Sequence, residues 1–131
     1  MIVLDASAII DMLLGTPAGD RVSQRILEDG APHAPHLLDV EVTSALRRGV
    51  RHQVLDPDRG AEALDDFAAF SLVRHPHGPL LPRMWALRDN FSAYDAAYVA
   101  LAEELDGPLL TLDARLARAG GHRATIELVR A

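Results

Sequence analysis

The chain has 131 residues, 49% of them hydrophobic, which suits one domain with its own core. It has no cysteine and no lysine: thirteen arginines stand against nineteen acidic residues, for a net charge of −6. Disulfides, thiol catalysis, Schiff-base chemistry and the lysine of a P-loop are thereby excluded. With no apolar run of about 18 residues and no basic leader, neither a membrane span nor a signal peptide is expected. A cytoplasmic location follows as the expectation.

"MIVLD" reads as a short buried strand that ends on Asp5. A helix is expected from Ser7 to Leu14, broken by Gly15 and Pro17 in "GTPAGD", and a second over "DRVSQRILEDG". "APHAPH" is an extended piece between prolines. "LLDVEVTSALRRGV" forms a third helix, and Pro57 opens a fourth. "SLVRH" is a candidate strand and "PHGPLLP" a loop, with Pro82 in the first turn of the helix after it. "SAYDAAYVALAEEL" is the clearest helix, ended by Gly107 and Pro108. "LLTL" is an apolar strand running into Asp113, and "ATIELV" a last strand. This alternation predicts an α/β fold, a mostly parallel sheet flanked by helices on both faces, with residues 1–131 as a single domain.

In open parallel sheets, sites lie beyond the carboxyl ends of the strands. Asp5 and Asp113 both fall there. On the clearest helix, a wheel puts Tyr94, Ala97, Tyr98, Leu101 and Leu105 in the apolar stripe and leaves Glu103 and Glu104 to solvent. Asp95 edges the apolar face in the first turn, three residues after Ser92, and so also suits a capping box. Glu41 borders the apolar side of the third helix, above Arg48, and also suits a surface ion pair. Asp5 and Asp113 could each cap the helix that follows. Taken as a set at one edge, four such carboxylates need a positive partner, and an oxygen-only donor set points to Mg²⁺ or Mn²⁺.

Four stretches in order, "MIVLDASAII", "PHLLDVEVTSALRR", "FSAYDAAYVALAEEL" and "LLTLDARLARA", resemble the PIN-domain ribonucleases, in particular the VapC toxins of toxin–antitoxin pairs. The resemblance spans nearly the whole chain. It implies that Asp5, Glu41, Asp95 and Asp113 are the catalytic, metal-binding acids and that Ser7 helps shape the site. It implies an endoribonuclease, with transfer or ribosomal RNA as substrate, Mg²⁺ or Mn²⁺ as cofactor and a VapB-type antitoxin as partner. Assembly as a homodimer or a toxin–antitoxin hetero-oligomer is implied as well. The chemistry it implies is hydrolysis by a metal-activated water, leaving a 5′-phosphate and a 3′-hydroxyl. Where some relatives carry a further acid after the fourth position, this chain has Arg115 and Leu116.

Two arginine groups offset the acidic charge: Arg47, Arg48 and Arg51 after Glu41, and Arg115, Arg118 and Arg123 after Asp113. Arg47, Arg48, Arg51 and Arg115 are candidates for RNA phosphate contact, against an ordinary solvated helix face. The pairs His33/His36 and His75/His77 suggest zinc less than surface roles in proline-rich loops. Trp85 and Met84 suit core or dimer contact; Asp65 and Asp66 read as solvated. Two other readings stay open: a catalytically inactive PIN-like binding module, and a DNA-directed nuclease of the same fold. Phosphatases and receiver domains with an aspartate after the first strand also need a lysine, which is absent, and no G-x-S-x-G elbow exists for a serine hydrolase.

Overall fold

A computed structural model describes residues 1–130. Five short strands form one sheet in the order β3-β2-β1-β4-β5, every neighbouring pair parallel. They are β1 (Val3–Leu4), β2 (His33–Pro35), β3 (Val73–His75), β4 (Leu109–Thr111) and β5 (Ile126–Leu128). The helices are α1 (Ala6–Leu14), α2 (Pro17–Asp29), α3 (Leu37–Arg51), α4 (Pro57–Ala69), α5 (Leu81–Ala86), α6 (Ala93–Leu105) and α7 (Ala114–Arg118). The expected α/β architecture is thus present, with a wholly parallel sheet. No helix among the described residues is long and apolar enough to cross a membrane.

The chain builds β1 to β3 toward one edge, then returns to β1's other side for β4 and β5. Right-handed crossovers put the helices of the two halves on opposite faces. In keeping with this, α1 to α4 pack on one another and α5 packs on α6. The strand order reverses between β1 and β4, and the loops leaving such a point open a crevice. Asp5 and Asp113 follow those two strands.

The apolar run Ile2–Leu4 sits in the middle of the sheet, fully buried. Across it lies α6, in contact with β1, β2 and β4. Every residue from Ala96 to Ala102 is buried. A helix apolar all round is a core helix rather than a surface one, so the wheel misplaces its stripe. Tyr94, expected inside, is 62% exposed. The side chain of Glu103, expected in solvent, is 1% exposed. Trp85 lies outside the core at 69% exposure, while Leu87 and Phe91 are buried. Two other boundaries shift: α2 starts at Pro17, capped by Thr16, and a 3-10 turn (Gly78–Leu80) enters the expected loop.

The Glu103 side chain is enclosed because it is paired. It accepts from Arg83 Nε (2.6 Å) and Nη2 (3.0 Å) and from the Arg123 backbone N–H (2.8 Å). The Arg83 guanidinium holds its carboxyl below the usual range. A depressed folded-state pKa adds stability above the unfolded value, lost as pH falls through the folded one. Glu103→Gln should therefore cost about 1–2 kcal/mol at pH 7, since Arg83 is partly exposed and can rehydrate. Urea unfolding at pH 7 and pH 3 should show that gap closing at the lower pH.

A carboxylate cleft at the carboxyl edge of the sheet

Asp5 leaves β1 and caps α1. Its Oδ1 accepts from Ser7 Oγ (2.6 Å) and the Ala8 N–H (3.0 Å). Its Oδ2 accepts from Thr111 Oγ1 (2.5 Å). Only 7% of Asp5 is exposed. Burial lifts its carboxyl above the usual range against the pull of those donors, and the Asp95 charge lifts it further. Ser7 is tied down in turn, since its Oγ accepts from the Leu112 N–H (2.9 Å). The pairing of Leu4 with Leu110 on β4 brings Thr111 to Asp5.

Glu41 lies one turn into α3 and accepts from the Tyr98 hydroxyl of α6 at 2.5 Å. The expected partner, Arg48, instead donates to Ser44 Oγ (3.1 Å). Burial raises the Glu41 carboxyl; Tyr98 lowers it, and the charges of Asp95 and Asp5 raise it again. Desolvation, and then its bond to Glu41, push the Tyr98 phenol far up, so it stays a donor.

Ser92 caps α6 by accepting from the Asp95 N–H (3.1 Å), so the capping reading holds for its backbone. The Asp95 carboxyl is half-buried, and desolvation followed by the Asp113 charge raises it, while Arg115 lowers it. Asp113 caps α7, accepting from the Arg115 N–H (2.9 Å), with Arg115 Nη2 at 3.5 Å from Oδ2. The helix-cap reading is therefore right for Asp5 and Asp113; Asp113 also lines a cleft, while Asp5 lies buried behind Ser7. The four acids are electrostatically linked: Asp5 with Glu41 and Asp95, Glu41 with Asp95, and Asp95 with Asp113.

Two clefts open beside them. One, of about 420 Å³, is lined by Ser7, Glu41, Val40, Arg48 and Tyr94 among others. The other, of about 280 Å³, is lined by Ser92, Asp95, Asp113 and Arg115 with Phe91 and Leu116. So Arg48 and Arg115 join the acids, whereas Arg47 and Arg51 are exposed on α3 and line neither cleft. The donor chemistry fits a hard divalent cation: oxygen ligands only, with like charges that raise one another's proton affinity. Among the described residues no three acidic or histidine side chains already converge on one ion position.

Sequence reasoning missed Thr111 and the polar role of Tyr98. The one hydroxyl in the run "LLTL", at the end of a strand, was the available signal for the first.

The PIN domain family model matches residues 2–122. Ribonuclease VapC12 of Mycobacterium tuberculosis is 45% identical over 129 residues, 98% of this chain and 99% of that protein. Ribonuclease VapC1 of the same organism is 46% identical over 129 residues, 98% and 97%. The crystal structure of VapBC2 from Rickettsia felis, bound to a DNA fragment from its promoter, superposes with a TM-score of 0.73 at 11% identity, covering 99% of this chain and 100% of that one. The family match over residues 2–122, on a parallel sheet of this order, sets the class as a PIN domain. The chain belongs to that family and, at this identity over 98% of its length, to the VapC branch of it.

Proposed function

We propose that the protein is a metal-dependent endoribonuclease, the toxin of a toxin–antitoxin pair, with transfer or ribosomal RNA as its substrate class. The observation that carries the reading is the linked set Asp5, Glu41, Asp95 and Asp113, delivered by four separate segments to one edge of the sheet. The naming of its relatives as VapC ribonucleases supports it.

In this reading the four acids hold Mg²⁺ or Mn²⁺, which supplies a water of lowered pKa and neutralises charge on the scissile phosphate. Ser7, Thr111 and the Ala8 N–H hold Asp5 in a single orientation, and Tyr98 holds Glu41. Arg48 and Arg115 stand at the cleft rims, where guanidinium groups meet phosphate. Arg47 and Arg51 serve at most a more peripheral RNA contact. The groove beside Leu37, Val40 and Tyr94 receives a segment of a VapB-type antitoxin, which sets a basic residue among the acids. Exposed Val40 and Tyr94 give that segment apolar contact. The protein works in the cytoplasm, as a homodimer or within a toxin–antitoxin assembly.

Purified chain free of antitoxin should cut total RNA in Mg²⁺ or Mn²⁺, leaving 5′-phosphate ends, and stop on addition of chelator. Asp95→Asn should abolish those cuts. Folded protein that cuts in no divalent metal would leave the inactive binding module as the better reading, and cuts confined to DNA would leave the DNA-directed nuclease. Tyr98→Phe should lower kcat/KM about tenfold, as loss of a residue that orients a ligand does. Its unfolding free energy from urea titration should change by about 1 kcal/mol or less. Unchanged kcat/KM would remove Tyr98 from the site.

A further inference from the structure

The structure regroups the four strand-end histidines. Their sequence neighbours do not pair; His33 of β2 meets His75 of β3, and His36 meets His77. The parallel register matches His33 with Val73 and Pro35 with His75, so the two histidines lie on one face, diagonally across adjacent strands. His33 Nδ1 and His75 Nε2 stand 2.8 Å apart, their rings 5.1 Å between centroids and tilted by 32°. One nitrogen donates and the other accepts. Both side chains are partly exposed. His77 is otherwise engaged: its Nε2 accepts from the Leu37 N–H (2.9 Å) at the start of α3. Arg74, between the strand positions, is turned to Asp39 at 2.8 Å and over the Phe67 ring, so its charge is already paired.

We propose that His33 Nδ1 and His75 Nε2 are a binding site for a divalent ion of the Cu²⁺ or Ni²⁺ type, separate from the carboxylate cleft. Geometry selects the class of ion. Imidazole nitrogens at about 2.0–2.1 Å from a metal lie about 3.3–3.4 Å apart in a tetrahedral site. In neighbouring positions of a square or octahedral site they lie only about 2.9 Å apart. The two nitrogens start from a hydrogen bond at 2.8 Å, so the second case asks for the smaller separation of the rings. A swing of both rings toward solvent turns the two lone pairs onto one point. The ring that donates in the pair shifts its proton, through water, to its far nitrogen, leaving His33 protonated on Nε2 and His75 on Nδ1, so two neutral ligands bind with no net proton release. Partial burial and the neighbouring His75 favour neutral His33, which a ligand has to be. Water completes the shell on the exposed side. The ion bridges β2 to β3, an edge strand of the sheet, and tightens that edge.

The test is Cu²⁺ titration of the full chain, followed by electron paramagnetic resonance and thermal unfolding. An Asp5→Asn, Asp95→Asn background keeps the carboxylate cleft from competing. One equivalent of Cu²⁺ should give a spectrum split by two imidazole nitrogens and raise the melting midpoint. His75→Gln should weaken binding at least tenfold, whereas His52→Gln on the exposed end of α3 should leave it unchanged. A spectrum with one nitrogen or oxygen ligands alone, or equal affinity in His75→Gln, would overturn the site. Should His75→Gln fail to fold, the nitrogen count in the unaltered histidine pair still decides.

Discussion

Asparagine in place of Asp5 is expected to lower RNA cleavage by about 10²–10³-fold, the scale on which loss of one preorganised electrostatic group acts. The substitution preserves shape. Oδ1 can still accept from Ser7 Oγ and the Ala8 N–H, so the start of α1 stays capped. The new amide N–H₂ faces Thr111 Oγ1, which already accepts from the Asp113 N–H at 3.0 Å and has a second lone pair for it. Thr111 must then turn its own proton toward Ser7 Oγ, 3.5 Å away. That is a poor bond, but removing a charge from a 7% exposed position offsets it. Stability should therefore change by about 1 kcal/mol at most. What is lost is a negative charge, one of the four that would hold the proposed cation. Cleavage assays paired with urea unfolding separate the two effects. Activity within tenfold of the parent, with the fold intact, would take Asp5 out of the proposed catalytic set.

How far the sequence carried this site depended on whether the signal was local. Asp5 and Asp113 were legible because a buried apolar run that ends on a carboxylate is visible within five residues. Asp95 stood out because it edges an apolar helix face behind a serine cap. Thr111 was not legible in the same way. Its role arises from β4 pairing with β1, about a hundred residues apart in the chain, and nothing in "LLTL" alone says which aspartate it will meet. Tyr98 was placed correctly as buried, but a tyrosine's ring and its hydroxyl answer to different neighbours, and only the packing of α3 on the sheet brings Glu41 to it. The errors on α6 have one cause. A wheel finds the centre of a stripe, and a helix buried from Ala96 to Ala102 has none. Tyr94 and Glu103, at its two ends, were consequently read the wrong way round. The histidines likewise were grouped by spacing in the sequence, whereas strand register decides which of them touch.

Gly19→Ala is expected to be among the most damaging single changes outside the cleft. Gly19 lies in the first turn of α2, where the chain folds back on α1, and its N–H donates to the Thr16 Oγ1 cap at 3.0 Å. A Cβ there would stand 2.0 Å from the Asp11 carbonyl oxygen and 2.3 Å from its carbon. Both atoms belong to the backbone of α1, so no side-chain rotation relieves the clash; α1 and α2 have to separate. The same junction is fastened by Thr16 Oγ1 donating to Asp11 Oδ2 at 2.7 Å and by the Thr16 N–H on the Asp11 carbonyl at 3.1 Å. Overpacking of this kind costs about 3 kcal/mol or somewhat more, because close-packed backbones transmit the shift. The consequence reaches the cleft. Displacing α1 pulls on its first residues, where the Ala8 N–H and Ser7 hold Asp5, so activity should fall at temperatures where the variant is still folded. Urea unfolding should show the midpoint drop, and Gly19→Ser should do no better, since it carries the same Cβ. A variant as stable as the parent would mean that the approach of α2 to α1 at Gly19 does not limit stability.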